Sequence, residues 1–257
     1  MEVHAHSHTP RKKWSHYFWE FFMLFLAVTL GFFVENQREH YIENLRAAKY
    51  ARSLATDLAR DTANMTYIME RIHIQIKNTD SLAARIKRNR ISELRNIDLF
   101  AFTLIDRYPA YRWSRSTLEQ IKNSGSLRYF HDSVVRLISM YDALSRHMDE
   151  DHRNDEEMAN RATASRDKIA DMSYSNDLAG GLYLHFDSII NSAVYRELAA
   201  HDKTPLLNSD SIGIKIFLNE KLNIRRNLEV RADNELRSLI NQARRLINLL
   251  NDKYHLR

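Results

Sequence analysis

The stretch Tyr17 to Val34, YFWEFFMLFLAVTLGFFV, constrains this chain more than any other. Eighteen residues span roughly 27 Å as a helix, close to the ~30 Å hydrocarbon core of a bilayer. Arg11, Lys12 and Lys13 precede it, and Trp14, Tyr17 and Trp19 stand where an interfacial aromatic belt lies. Glu35, Asn36 and Gln37 end it abruptly. A secretory signal would be cleaved beside small residues at two spaced positions, and VENQREH, which follows, has none. A buried helix of a soluble protein would also read as a short apolar run. The reading adopted is an uncleaved anchor over residues 14–35. Basic residues cluster before the helix, whereas Arg38 beyond it sits beside Glu35 and Glu39. The positive-inside rule therefore expects residues 1–13 as a short cytoplasmic tail and 36–257 as a periplasmic domain, in a single-pass protein of the inner membrane.

Breakers are scarce. Only 5 glycines and 3 prolines occur in 257 residues, which argues for long helices. Cysteine is absent, so thiol catalysis, disulfides and thiolate metal sites are excluded. The net charge is +5, all of it carried by residues 36–257, with both signs interleaved as on solvated helix faces. Nucleic-acid binding would show a basic stripe with aromatics between, and there is none. No cofactor motif, phosphate loop, HExxH or nucleophile elbow is present, so no catalytic or cofactor-binding residue is assigned and no enzyme is expected.

Beyond the anchor, Tyr41, Leu45, Ala48, Leu54, Ala55, Leu58, Met65, Ile68, Met69, Ile72 and Ile76 fall at spacings of mostly three and four. One helix is expected to leave the membrane and run to about Lys87, ending at KRNRISEL. A second helix is expected over 96–107, broken by Tyr108 to Tyr111. In STLEQIKNSGSLRYF, Ser116 and Glu119 fit a capping box, and Gly125 suits the left-handed position after the helix. Asp132 or Ser133 then opens another helix. The run Asp149 to Glu157, DEDHRNDEE, lacks the glycine and glutamate positions of a calcium loop and reads as a solvated helix end or loop. Gly180 and Gly181 mark a turn and His185 reads as structural. From Asp210 or Ser211 to about Lys253 a last long helix carries the stripe Leu236, Leu239, Ile240, Ala243, Leu246, Ile247, Leu250 and Tyr254. The fold class is all-α: one transmembrane helix, continuous with a long outer helix, in a bundle closed by the C-terminal helix.

The runs RKKWSHYFWEFFMLFLAVTLGFFVENQREHYIENLR and STLEQIKNSGSLRYF together resemble a family of small single-pass Bacteroidota membrane proteins of unknown function. The resemblance implies an anchor and an outside helical domain, and it brings no catalytic residues with it.

Two features bear on partners. Glu20 is the one ionisable residue in the apolar stretch, and a carboxylate at membrane depth is costly unless it snorkels or finds a partner. Gly31 would let a neighbouring helix approach. The expected partners are the lipid bilayer and either a second copy or another membrane protein, with Trp14, Trp19, Glu20 and Gly31 at the contact. His4, His6 and His8 are a weak metal candidate in the tail, where a plain polar tail is the simpler reading. The function expected is a non-enzymatic scaffold or accessory subunit of an envelope complex. The alternative is a ligand-sensing domain that signals through a partner.

Overall fold

The computed structural model describes residues 14–105, 111–171 and 193–256. These form helices α1 (Trp14–Arg88), α2 (Asn96–Ile105), α3 (Ser116–Asn123), α4 (Asp132–Arg166), α5 (Ala193–His201), α6 (Ser211–Val230) and α7 (Arg237–Tyr254). No strand occurs among the described residues, apart from a single bridge between Arg95 and Pro205. The all-α expectation holds. Arg11, Lys12, Lys13, the tail histidines, Gly180, Gly181 and His185 lie outside the described residues.

Helix α1 runs unbroken for 75 residues, about 110 Å at 1.5 Å per residue. It stops where Arg85, Lys87 and Arg88 meet the negative helix end. A 3-10 turn, Ile91–Glu93, then breaks the chain within the expected KRNRISEL stretch. Burial on α1 starts at Ala47 and follows the stripe Ala51, Leu54, Leu58, Met65, Ile68, Ile72 and Ile76. Tyr41 and Leu45 depart from the expectation. At about 3.6 residues per turn both fall out of phase with Ala47, Leu54 and Leu58. They face away from the bundle, 65% and 53% exposed, although Arg128 and Tyr129 come up beside Arg46 on the same stretch of α1.

Helices α6 and α7 are joined by a π-helical turn, Arg231–Leu236, whose flanking residues keep helical dihedrals. The result is one rod from Ser211 to Tyr254, opened by Asp210, whose carboxylate accepts from the Ile212 and Gly213 amides. It packs antiparallel to α1: His73 meets Asp233 at 3.3 Å, and Arg225 meets Asp80 at 3.0 Å seven residues further along α1. The expected stripe is the packed face, with Leu236, Leu239, Ala243 and Leu250 fully shielded. Helix α4 runs parallel to α1, since Tyr141 donates to Asp61 near one end and Asp171, past the other, donates its amide to Asn96, the first residue of α2.

The core has two parts. The larger joins α1, α3, α4, the π turn and α7 around Leu58, Met65, Ile121, Ile138, Met148 and Leu236. The smaller, at the α2 end, gathers Leu82, Ile97, Phe102, Ile169 and Phe217, with the Phe102 and Phe217 rings edge-on at 5.6 Å. Lys221 is 1% exposed there, its ammonium 5.3 Å from the Phe217 ring, and burial lowers its pKa to about 7.

Two local expectations are corrected. Ser116 does not cap α3, because the cap position is Arg115 and no capping-box bond forms. Instead α1 reaches across: Asp61 accepts the Ser114 amide at 3.0 Å, and Asp57 accepts the Thr117 hydroxyl at 2.6 Å. Carboxylates borrowed from a neighbour thus face the positive end of α3. Gly125 does take the left-handed conformation, φ 68°, just after α3. Helix α4 starts at Asp132, as expected, after the cap His131, whose ring accepts the Ser133 amide. The largest correction concerns DEDHRNDEE. It is neither a helix end nor a loop, but the middle of α4.

Candidate functional site

The residues singled out in the N-terminal stretch lie along one helix and do not converge. Every residue from Trp14 to Tyr41 is exposed. Trp14 is 83% and Trp19 60% exposed, while Phe18 stacks between Trp14 and Phe22 at 6.3 Å on either side. The i, i+4 spacing of a helix places these rings one above another. The apolar window has a mean hydropathy of 1.9 and none of it is buried by the other described residues, so this part of α1 is a candidate membrane span by length and composition. Glu20 lies one turn after His16, with Oε1 3.0 Å from Nε2. A Cβ placed on Gly31 would meet nothing within 4 Å, so the surface there is open.

A second site sits where α4 crosses the π turn, and the sequence reading missed it. The stripe Val134, Ile138, Tyr141, Ser145 and Met148 faces inward on α4, and its spacing leads on to Asp155 and Ala162. Asp155 is fully buried. Arg231, at the start of the π turn, meets it with a two-pronged contact, Nε to Oδ2 at 2.9 Å and Nη2 to Oδ1 at 3.3 Å. Asn227 adds a bond at 3.5 Å. The third nitrogen of Arg231, Nη1, lies 3.0 Å from Asp151 and 2.5 Å from Glu235. Three carboxylates therefore surround one guanidinium. Burial works against the charge on Arg231, yet Asp155, Glu235 and Asp151 together hold it protonated more firmly than an ordinary arginine. Burial raises the Glu235 pKa, and Asp151 adds to the rise against the pull of Arg231.

A polar and aromatic wall flanks this network. Trp113 donates to Asp149 at 2.8 Å, and Arg115 also pairs with Asp149. The Tyr111 ring stacks on Trp113 at 5.7 Å and meets His152 edge-on at 5.2 Å. Burial, and then the charge of Asp155, push the Tyr111 hydroxyl well above its usual pKa. His147, one turn before Asp151, places Nε2 at 3.2 Å from Oδ2. The available signal was the unbroken helical phase through the acidic run. The partner, Arg231, is 76 residues from Asp155 in sequence, so only folding joins them.

Comparison with protein-family models, with curated proteins and with solved structures returns no match.

Proposed function

We propose that this protein is a membrane-anchored helical scaffold or accessory subunit of a cell-envelope complex, without catalytic activity of its own. Residues 1–13 lie in the cytoplasm, residues 14–35 cross the inner membrane, and residues 36–257 stand in the periplasm. The observation that carries this reading is the apolar surface of α1 from Tyr17 to Val34, which no other described residue buries. Leaving each large apolar side chain in water forgoes about 1.5–3 kcal/mol, and a bilayer is the solvent that matches both the length and the aromatic flank. The same helix becomes the spine of the outer bundle with no intervening loop, which suits a rigid post holding the bundle at a fixed height. Membership of the small single-pass Bacteroidota family is part of this proposal.

A partner contact through α1 belongs to the same reading. Gly31 opens the helix surface, and helices in lipid associate by close packing and polar bonds. Crosslinking in native membranes is expected to trap a dimer or a hetero-complex that Glu20→Ala loosens. The alternative function, ligand sensing through a partner protein, draws support from the polar network at the π turn, since such turns are frequent at functional sites.

The anchor is tested by fusing a periplasm-active reporter to the C-terminus and sequencing the N-terminus of the membrane-extracted protein. An active reporter on an intact chain that resists carbonate extraction is expected. A mature chain starting after residue 30, or a reporter active only in the cytoplasm, would overturn the reading.

A further inference from the structure

The three carboxylates around Arg231 are not equal. Asp155 takes two of its nitrogens and is fully buried, so the guanidinium charge is committed there. Asp151 and Glu235 share the one remaining nitrogen. Asp151 Oδ2 and Glu235 Oε2 are shielded from solvent, yet neither accepts a hydrogen bond of good geometry. Buried carboxylate oxygens are normally satisfied; here Asp151 Oδ2 has only the ion-pair approaches of Arg231 Nη1 at 3.0 Å and His147 Nε2 at 3.2 Å, and Glu235 Oε2 has no hydrogen bond among the described residues. With one guanidinium against three carboxylates, two negative charges are left over.

The third donor is an imidazole. His147 and Asp151 are one turn apart on α4, so both point the same way. Glu235 comes from the opposite rod, brought round by the π turn. One ligand atom from each of His147, Asp151 and Glu235 lies within 4.8 Å of the others, a spread that small side-chain rotations close to metal-ligand distances. His147 is 58% exposed and open to an ion arriving from solvent.

We propose that His147, Asp151 and Glu235 form a binding site for a divalent transition metal of the zinc class. The donor set is one nitrogen and two oxygens from three side chains, which suits Zn²⁺ and leaves a position for water. It is too poor in oxygen for Ca²⁺, which takes six to eight. The charge closes as well: a divalent cation offsets the two carboxylates that Arg231 leaves uncompensated. Bound there, the metal clips α4 to the π turn and makes the stability of the outer bundle respond to metal. The site does not depend on the membrane reading.

The test uses the full chain in detergent, carrying His4→Ala, His6→Ala and His8→Ala so that the tail cannot bind. The protein is stripped with a chelator and titrated with ZnCl₂ by calorimetry, with bound metal counted by elemental analysis. One equivalent and a higher melting temperature with Zn²⁺ are expected. Loss of a partner that merely orients a ligand weakens metal binding by about 10- to 100-fold, so His147→Gln and Glu235→Gln should each weaken it at least about tenfold. His40→Ala, on the exposed part of α1, should leave it unchanged. Absence of a stoichiometric equivalent, or equal affinity in His147→Gln and the parent, overturns the proposal. Because His147 is largely exposed, that variant folds and decides the matter even where Glu235→Gln does not.

Discussion

Replacing Arg231 with methionine removes the one cation among three carboxylates while keeping most of the aliphatic bulk. Asp155 is fully buried and Arg231 only 9% exposed, so water cannot take over the lost bonds. Breaking a buried ion pair from one side costs about 3–5 kcal/mol, since the remaining charge is stranded. Domains of this size lose about 2–4 °C of melting temperature per kcal/mol, so Arg231→Met should melt about 6–20 °C below wild type. The loss should depend on pH. A buried carboxyl without a counter-charge has its folded-state pKa raised, so its effect on stability is least unfavourable in acid and worsens as pH rises through that pKa. The gap between variant and wild type should therefore be wider at pH 8 than at pH 5. Adding Asp155→Leu removes the stranded charge and should recover more than half of the loss. Circular-dichroism melts of the full chain in detergent measure all three. A shift below about 2 °C, or no recovery in the double variant, would refute the view that Arg231 and Asp155 hold α4 to the C-terminal rod.

Three further outcomes follow from the packing. Leu239→Ala, at a fully buried position of the larger core, should cost about 2–5 kcal/mol in urea unfolding; an unchanged midpoint would show that α7 is not core. Lys221 is depressed by burial to about pH 7. The folded state then gives up its proton before the unfolded state does, so stability should climb with pH from about 7 to the unfolded lysine pKa. In Lys221→Met that climb should flatten, as denaturation at pH 7 and pH 10 would reveal. Gly125 holds φ 68° with open space around its missing Cβ, so Gly125→Ala should cost about 1–2 kcal/mol through conformation alone; an unchanged urea midpoint would mean that the turn relaxes.

The N-terminal stretch, the long α1, the Gly125 turn and the C-terminal stripe were legible because each depends on neighbours in sequence. Hydrophobic period, turn chemistry and a lack of breakers act over a few residues, and the chain states them directly. Tertiary structure decided the rest. Tyr41 and Leu45 are apolar at helical spacing from one another, and only the packing shows that the covered side of α1 is the opposite one, with Leu54 and Leu58. Ser116 looks like a helix cap, but the cap position is Arg115, and Asp57 and Asp61 of α1 bond the Thr117 hydroxyl and the Ser114 amide at that end. DEDHRNDEE looks solvated because charge alone suggests water. Most of the run is indeed exposed; the burial of Asp155 within it depends on Arg231, 76 residues on, and on a π turn that faces Arg231 and Glu235 toward α4. A local pattern can say which face of a helix is apolar. It cannot say which distant counter-charge will make a carboxylate tolerable inside, because that energy exists only once the two helices are packed together.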